Sequence, residues 1–457
     1  MSDLPNDLAE EALSKLPVTS PRGFRSACRK CNTLSKYRSF TIKHRAQAKA
    51  ATKEKLPAKM TTMSDLPSDL AEEVLSRLPV TSLRGFRAAC KKWNTLSKDR
   101  SFTRKHLAQA KAAAAREFMV VMVMDSQVYL MGINLCKGVD ETINRQGKLI
   151  SLDDSNQVDI SRVYHCDGLV LCIPKDCSRL VVWNPYWGQT LWFKPSSLRH
   201  KRHLYRYAVG YQNSKSCCSY KILRFVEVSS ESIVEYEIYE LNSNSWRVLD
   251  VTSDWHILFF AHGVTLKRNT YWFALEKYRE RRSTVEIPDF LICFDFTKER
   301  FGPRLRLPFR SYDEDTVTLS SVREEQLAVL FQREDNLHLE IWVTTKIEPE
   351  VVSWSKLFLA VDMEPLTDFQ FGVTGGSFFI DEEKKLAVVF DKDKDRDNIE
   401  VQTPRRNFAY IIGEDGYFRD VDLKETSVCA PPLGCLYVPS SVQIKQRGKR
   451  KKNLIVY

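Results

Sequence analysis

The amino-terminal fold is decided by residues 63–113, which read MSDLPSDLAEEVLSRLPVTSLRGFRAACKKWNTLSKDRSFTRKHLAQAKAA. Residues 1–51 align with them without a gap at a shift of 62, and about 40 of the 51 positions are identical. This identity indicates a recent duplication, and two copies are too few for a solenoid. We call residues 1–51 copy one and residues 63–113 copy two. Residues 52–62, rich in Lys, Ala and Thr, are interpreted as a linker.

Copy two has the apolar spacing of consecutive helices. Leu70, Val74 and Leu78 recur every four residues, and Pro79 ends that helix. Thr81 or Ser82 can cap the next helix. Its apolar positions are Leu83, Phe86, Cys90 and Trp93, and the series continues through Leu96, Phe102 and Leu107. Because about 45 residues cannot bury so many large side chains on themselves, we expect a small helical module that needs a partner surface to complete its core.

From residue 117 to residue 444 the pattern changes to short strands with turn signals. Val234, Tyr236 and Ile238 alternate with polar residues. Other predicted strands are Leu180–Trp183, Tyr271–Leu275, Leu291–Phe296, Leu327–Phe331, Leu339–Val343, Leu386–Phe390 and Phe408–Ile412. This texture predicts an all-β body, either a propeller or stacked sandwiches. At about 45 residues per blade, a propeller would have about six or seven blades, and the sequence leaves that number open.

Composition narrows the class of protein. The chain has 457 residues, of which 43% are hydrophobic and 28% charged, so it is long enough for several packed domains. The longest apolar run, Phe118–Met124, is far shorter than the roughly 20 residues of a membrane-spanning helix. The start of the sequence has no secretion-signal pattern. We therefore expect an intracellular protein, cytoplasmic or nuclear, with reduced cysteines and no membrane partner.

The formal net charge of +11 is unevenly distributed. Residues 1–116 carry about +14 and residues 445–452 about +6, so the body between them is mildly acidic. This distribution does not favour nucleic acid as the partner of the whole protein. The basic tail, residues 445–457, contains Lys449-Arg450-Lys451-Lys452. It could be a nuclear-import signal, a nucleic-acid-binding patch or a solvated tail, and the sequence leaves these open.

Copy two resembles an F-box. The matching features are Leu66-Pro67, Asp69-Leu70, Glu73-Val74-Leu75, Arg77-Leu78-Pro79, Ser82-Leu83, Phe86-Arg87, Cys90, Lys92-Trp93-Asn94 and Phe102. The body resembles the F-box-associated, kelch-like domain of a large plant F-box family. Its matching features are Asp167-Gly168-Leu169, Val182-Trp183-Asn184-Pro185, Tyr207–Tyr211, Ser245-Trp246-Arg247, Gly263-Val264, Tyr271-Trp272-Phe273, Cys293–Phe296 and Glu340–Val343. The resemblance implies a kelch-like β-propeller.

The resemblance also implies the substrate receptor of an SCF-type (cullin-RING) ubiquitin ligase. The F-box would bind a Skp-type adaptor, and through it the cullin and RING subunits, while the body would bind a target protein. Such a subunit is not an enzyme; it raises the effective concentration of a target lysine. No catalytic residue, cofactor or metal is expected. The implied adaptor-binding residues are Leu66, Pro67, Leu70, Val74, Leu75, Leu78, Pro79, Leu83, Phe86, Arg87, Cys90, Trp93 and Asn94.

The two copies differ at positions that bear on adaptor binding. Trp93, Leu83 and Leu107 of copy two correspond to Cys31, Pro21 and Arg45 in copy one. Loss of a buried Trp typically costs about 3–5 kcal/mol, and an arginine at an apolar position adds a desolvation cost. We therefore expect copy two to bind the adaptor and the degenerate copy one to bind weakly or not at all. Met63 is also a candidate for the effective start of the chain.

Several weaker motifs favour ordinary structural roles. Cys28 and Cys31 have the spacing of a zinc or redox pair, but no second pair lies near them. Residues 391–397 resemble the start of a calcium loop but lack the required Gly and Glu, so we expect a hairpin loop. Gly375-Gly376 is interpreted as a turn. His165, His256 and His262 are interpreted as core or rim histidines with satisfied hydrogen bonds.

Two other functions remain open from the sequence. A β-propeller hydrolase or lectin would need clustered carboxylates or histidines in a central pocket. An F-box protein that has decayed after duplication would fold without having a target. The target and its recognition signal cannot be derived from the residues.

Overall fold

The structure is a computed structural model of the chain. It describes residues 72–73, 75–78, 80, 83, 87, 91–114, 118–135, 142–148, 158–196, 204–213, 218–228, 233–258, 261–277, 289–312, 314–355, 357–367, 369–372, 376–392, 405–426 and 432–444. Copy one, the linker and the basic tail lie outside these ranges, as do Cys28, Cys31, Gly375 and residues 393–397 of the calcium-loop-like segment.

The chain divides into two compact units. The first contains the residues up to Ala115 together with two short segments, Tyr186–Gly188 and Pro439–Ser441. Its described helices are α1, Lys91–Leu96, and α2, Arg100–Ala114. This confirms the predicted small helical module. None of the described helices is both long and apolar enough to cross a membrane.

The second unit is a β-propeller in which six antiparallel sheets form the blades. Blade 1 consists of β27 (Leu433–Leu436), β1 (Phe118–Met124), β2 (Gln127–Asn134) and β3 (Thr142–Lys148). Blade 2 consists of β4 (Ile160–Cys166), β5 (Leu169–Pro174), β6 (Leu180–Asn184) and β7 (Gln189–Phe193). Blade 3 consists of β8 (Arg206–Asn213), β9 (Cys218–Val228), β10 (Ile233–Glu240) and β11 (Ser245–Leu249).

The other three blades follow in chain order. Blade 4 consists of β12 (Trp255–Ile257), β13 (Val264–Leu266), β14 (Asn269–Glu276), β15 (Phe290–Asp295), β16 (Arg300–Phe301) and β17 (Leu305–Arg306). Blade 5 consists of β18 (Thr316–Val322), β19 (Gln326–Gln332), β20 (His338–Glu348), β21 (Val351–Trp354) and β22 (Leu359–Asp362). Blade 6 consists of β23 (Phe378–Asp381), β24 (Leu386–Lys392), β25 (Arg405–Gly413) and β26 (Phe418–Thr426), with a 3-10 turn at Glu414–Gly416.

These sheets confirm the predicted all-β body and settle the number of blades at six. Each strand named from the sequence pattern coincides with an observed strand, although β20 continues five residues beyond Val343 and β25 begins three residues before Phe408. The strands form because β-branched and aromatic residues alternate with polar ones, or run as short apolar stretches buried on both faces.

The first blade is closed by the end of the chain. Strand β27 pairs antiparallel with β1, so that Val120 lies opposite Leu436 and Val123 opposite Leu433. The Ser377 hydroxyl, from blade 6, both donates to the carbonyl oxygen of Gly434 and accepts from its N–H, each at 2.8 Å. Beyond β27, the Asn184 and Gln189 side chains of blade 2 bond the backbone of Val442 and Ile444. The carboxyl-terminal segment therefore links blades 6, 1 and 2.

The hydrophobic core of the propeller lies between neighbouring blades. One cluster fills the space between blades 3 and 4, where Phe225 and Tyr236 stack and Trp272 meets Phe225 edge-on. Similar clusters lie between blades 2 and 3, 4 and 5, 5 and 6, and 6 and 1. Because each blade buries both faces against its neighbours, the blades stabilise one another.

Blade 3 also carries three buried cations, which the apolar strand pattern does not predict. Arg206, Lys221 and Arg224 are each less than 5% exposed. Within blade 3, Arg206 pairs with Glu227 at 3.1 Å and the Nε of Arg224 donates to Glu237 at 2.9 Å. The same cations also reach other blades. Arg206 donates to the carbonyl oxygen of Ile257, Arg224 donates to Ser196, and Lys221 pairs with Glu299 at 2.6 Å. Removing one partner would leave a buried charge unpaired.

Two tryptophans join the outer strands of adjacent blades. The indole N–H of Trp246, in β11, donates to the carbonyl oxygen of Lys194 at 2.9 Å, just after β7. Trp354, in β21, donates in the same way to Arg306 of β17 at 2.8 Å. Both follow a serine in a Ser-Trp pair at the outer edge of a blade. Each ring thus connects its own blade to the preceding one.

We predict that Trp246→Phe lowers the free energy of unfolding of the propeller by about 1 kcal/mol, because it keeps the aromatic ring but removes one hydrogen bond. Trp192→Phe is the matched control, since the half-buried Trp192 ring contacts the Arg179 guanidinium at 4.8 Å and a phenyl ring preserves much of that contact. Denaturant unfolding measures both. Equal losses in the two variants would contradict a role for the hydrogen bond.

Candidate protein-binding sites

Helix α2 begins at a capped terminus in copy two. Asp99 precedes the helix, and its Oδ1 accepts hydrogen bonds from the N–H of Ser101 at 2.7 Å and of Phe102 at 3.4 Å. These are donors of the first turn that have no partner within the helix. Hydrogen bonds from the Ser101 hydroxyl and backbone hold the pKa of Asp99 below its usual value. The carboxylate therefore stabilises the start of α2.

A buried histidine ties α2 to the end of the preceding helical stretch. The Nε2 of His106 lies 2.8 Å from the carbonyl oxygen of Leu78, so this nitrogen carries the proton and donates. The His106 ring also stacks on Phe102, with 5.8 Å between ring centroids. Burial lowers the pKa of His106, because the charged imidazolium would lose its hydration. The ring is therefore neutral at pH 7.

Four of the described apolar side chains of copy two are buried. Leu75, Val80, Leu83 and Phe102 are each less than 8% exposed. The side chain of Glu73 pairs with Arg77 at 2.7 Å and also with Lys105 of α2, closing the module at its surface. Of the predicted adaptor-binding residues, Leu75 and Leu83 thus lie in the interior, where they support the module.

Arg87 contacts residues that come later in the chain but belong to the same compact unit. Its Nη1 donates to the carbonyl oxygen of Tyr186 at 2.6 Å, and its Nε donates to the Ser97 hydroxyl at 3.2 Å. The guanidinium lies 4.7 Å from the centre of the Trp187 ring and 5.4 Å from that of Tyr186. Tyr186 is only 1% exposed and its ring also meets His106, at 5.5 Å between centroids. Part of the covering predicted to come from another protein is therefore supplied by this chain.

The other predicted adaptor-binding residues divide into two groups. Leu78, Trp93 and Asn94 are half-buried, with Trp93 and Asn94 on α1. The remaining residues lie outside the described ranges: Leu66, Pro67, Leu70, Val74, Pro79, Phe86 and Cys90. Adaptor binding by this set stays a prediction.

The geometry identifies one further difference between the copies that the sequence pattern did not single out. The capping residue Asp99 corresponds to Tyr37 in copy one. A tyrosine cannot accept the two backbone N–H groups that the Asp99 carboxylate bonds. The rule that Asp, Ser, Thr or Asn precedes a helix could have revealed this difference. Leu83, which corresponds to Pro21, is 1% exposed in copy two.

The tryptophans between residues 183 and 342 divide into buried and half-buried rings. Trp183, Trp255 and Trp272 are less than 7% exposed and pack in the core. Trp187, Trp192, Trp246 and Trp342 are half-buried and keep part of their rings at the surface. The large apolar side chains that are most exposed among the described residues are Val248, Tyr312 and Val351, at 75%, 49% and 42%. These side chains are the large apolar groups accessible at the described surface.

Two histidines of the propeller, His165 and His262, have lowered pKa values. The Nε2 of His165 accepts a hydrogen bond from the Gly168 N–H at 3.0 Å, which confirms its interpretation as a satisfied histidine. Burial lowers the pKa of His165 to about 4, and burial followed by the charge of Arg162 lowers that of His262 to about 4. His256 lies in β12. The described residues contain no group of three or more His, Cys, Asp or Glu side chains placed to hold a metal.

The fold and these sites agree with the families that the sequence matches. The F-box associated beta propeller domain matches residues 119–444, and the F-box domain matches both residues 1–43 and residues 63–105. The chain therefore belongs to the F-box proteins that carry an F-box associated beta propeller domain.

Relatives from Arabidopsis thaliana resemble the chain along nearly their whole length. At3g17620, which is named as an F-box protein, is 64% identical over 395 residues, covering 85% of this chain and 98% of its own. The F-box/kelch-repeat protein At3g16740 is 56% identical over 84% of this chain and 100% of its own. F-box protein At3g19470 is 53% identical with the same coverage. The part of this chain outside each alignment, about 15%, is close in size to copy one with its linker.

We predict that Asp99→Tyr, which introduces the residue found in copy one, loosens the first turn of α2. Asp99→Asn is the matched control, since an asparagine oxygen can accept the same N–H groups. Hydrogen exchange of residues 99–107 in the full chain should rise in the tyrosine variant and change little in the asparagine variant. Similar exchange in both variants would contradict the capping role.

The lowered pKa values of His165 and His262 predict that the stability of the propeller depends on pH. The unfolded chain binds protons on these imidazoles near pH 6.5, whereas the folded chain binds them near pH 4. The unfolded state therefore holds more protons between these values, and stability falls as the pH drops from 6.5 towards 4. Thermal midpoints between pH 7 and pH 5 should fall less steeply in His262→Gln than in the parent chain. Parallel curves would contradict a contribution from His262.

Proposed function

We propose that the chain is the substrate-recognition subunit of an SCF-type, cullin-RING ubiquitin ligase. Copy two binds a Skp-type adaptor, the adaptor connects it to the cullin and RING subunits, and the propeller binds a target protein. The observation that carries the proposal is the pairing, in one chain, of an F-box match at residues 63–105 with a six-bladed propeller at residues 119–444.

The physical basis of this role is positioning. A receptor of this kind forms and breaks no covalent bond; it holds a target lysine close to a charged ubiquitin-conjugating enzyme and so raises the effective concentration of the reacting groups. A propeller suits this task because its blades support one another as a rigid scaffold. The role places the chain where such ligases act, in the cytoplasm, the nucleus or both.

Copy two is the copy proposed to bind the adaptor. Its core residue Leu83 and its helix cap Asp99 are present, and Trp93 is half-buried on α1 with part of its ring available. Pro21, Tyr37 and Cys31 occupy the corresponding positions in copy one. Copy one therefore lacks the leucine, the aspartate and the tryptophan of these positions, although the F-box domain matches it as well.

We expect Trp93→Ala to weaken binding of a purified Skp-type adaptor by at least about 2 kcal/mol, or about thirtyfold, because aromatic anchors dominate such interfaces. Calorimetry with the full chain measures the affinity and should give one adaptor per chain. Cys31→Trp, the reciprocal change in copy one, is the matched control and should leave the affinity and stoichiometry unchanged. Unaltered binding by Trp93→Ala, at an unaltered melting temperature, would refute the proposed interface.

Target recruitment is tested in cells by proximity labelling, with and without proteasome inhibition. Proteins that the propeller recruits for degradation should be enriched when the proteasome is inhibited. They should also accumulate around the Trp93→Ala variant, which keeps the propeller but loses the adaptor. Tyr312→Ala, at an exposed position, tests whether that surface contributes to recruitment. Labelling that is identical in every condition would favour a folded F-box protein without a target.

A further inference from the structure

Three connections of the propeller meet at one end of blade 5, where buried polar side chains hold them together. The connections follow β17, β19 and β22 in the chain. One carboxylate oxygen of the buried Asp315 accepts from the N–H of Tyr312 at 2.8 Å, and the other accepts from the N–H of Glu334 at 3.1 Å. The side chain of Gln332, also buried, accepts from the N–H of Phe371 at 2.9 Å. The surface that these connections form is therefore preorganised, which lowers the entropic cost of binding a partner.

This surface exposes an aromatic ring beside carboxylates. Tyr312 is 49% exposed, more than any other large aromatic side chain among the described residues. Glu314 lies two residues after it, and Glu334 and Asp335 lie in the turn that Asp315 holds in place. All three are exposed, and none of them forms an ion pair with a described residue.

The local charge is opposite in sign to that of the whole chain. Residues 310–315 and 333–335 contain five carboxylates and two arginines, a formal charge of −3, whereas the chain as a whole carries +11. Of the two arginines, Arg310 is exposed, while Arg333 is half-buried with its guanidinium 5.5 Å from the centre of the Phe331 ring. A cationic partner is therefore attracted to this end of blade 5, although the chain as a whole repels it.

Both kinds of exposed group favour a cationic side chain as their partner. The face of a tyrosine ring attracts a lysine ammonium or an arginine guanidinium, and carboxylates pair with the same groups through charge-assisted hydrogen bonds. A single exposed ion pair contributes little to affinity. Recognition therefore requires several cations at once, as a basic segment of a protein provides.

We propose that this end of blade 5, with Tyr312, Glu314, Glu334 and Asp335, is the docking surface for an extended segment rich in lysine or arginine on the target protein. One cationic side chain of the segment lies against the Tyr312 ring, and others meet the carboxylates. This inference rests on the proposed function for its consequence, which is that the basic segment marks a protein for ubiquitin transfer. The binding of the segment itself requires no adaptor.

The proposal is tested by fluorescence anisotropy with the full chain and a labelled dodecapeptide in which lysine alternates with serine. The neutral counterpart has glutamine in place of each lysine. The lysine peptide should bind about tenfold more tightly or better at about 0.1 M salt, and binding should weaken as salt screens the exposed charges. Equal affinity for the two peptides, or no binding of the lysine peptide at about 1 mM, would overturn the proposal.

Glu334→Gln removes one charge of the surface, and Glu325→Gln is its matched control. The two glutamates are exposed, form no ion pair with a described residue, and lie near opposite ends of the seven-residue strand β19. That strand separates them by about 20 Å, which is about twice the Debye length at 0.1 M salt. Glu334→Gln should weaken binding of the lysine peptide about threefold, and Glu325→Gln should change it less than about 1.5-fold. Equal losses would indicate general electrostatic attraction and contradict a local surface.

The role of the ring is tested by two variants of Tyr312. Because Asp315 bonds the backbone N–H of Tyr312, both substitutions leave that anchor in place. Tyr312→Ala should weaken binding of the lysine peptide about threefold, whereas Tyr312→Phe, which keeps an aromatic face, should change it less than about 1.5-fold. Melting temperatures equal to that of the parent chain establish that both variants fold. Parent-like binding by Tyr312→Ala would remove the ring from the surface and refute the proposal.

Calorimetry with a purified Skp-type adaptor separates this inference from the proposed function. Glu334→Gln and Tyr312→Ala lie outside the F-box match at residues 63–105 and should leave the adaptor affinity unchanged. If the adaptor fails to bind the parent chain, the proposed function is refuted, while the preference for the lysine peptide still supports the docking surface. If the adaptor binds but the two peptides bind equally, the docking surface is refuted and the proposed function stands.

Discussion

The propeller depends on the pairing of its last strand with its first. Strands β27 and β1 are separated by more than 300 residues in sequence, yet their backbones bond directly and complete blade 1. The Tyr437 N–H adds a hydrogen bond to the carbonyl oxygen of Met119 at 2.8 Å. In a closed ring every blade packs against two neighbours, and the ring closes only when its two ends meet. The packing of every blade therefore relies on this closure. Gly434 fits this place because an added Cβ would lie 2.9 Å from the Val120 side chain.

Once the ring is closed, the interfaces between blades use two kinds of contact. Apolar clusters supply most of the buried surface. Charged and aromatic side chains add directional hydrogen bonds and ion pairs across the interfaces. The cations of blade 3 are examples, since Lys221 and Arg206 each bond an acceptor in blade 4. Such contacts place each blade in a defined register with its neighbours. They also explain why residues that appear polar in the sequence are found in the interior.

The core of the helical module is completed in a different way from that of the propeller. Its small size led to the prediction that an outside surface completes its core. In the structure, Tyr186 supplies part of that covering from within the chain, while Trp93 and Asn94 remain half-buried on α1. Of the residues predicted to bind the adaptor, Arg87 is therefore engaged within the chain, whereas Trp93 and Asn94 are half-buried.

The sequence by itself determined the duplicated module, the strands of the body and the family, because these depend on local periodicity and on short motifs such as Lys92-Trp93-Asn94. The helix cap at Asp99 was also within reach of sequence rules. The tertiary structure alone decided the six blades, the closure through β27, the buried cations and the contacts of Arg87. The physical reason is distance along the chain. Arg87 and Tyr186, or β1 and β27, meet only after the residues between them have folded. No local sequence pattern indicates which distant residue a side chain will contact.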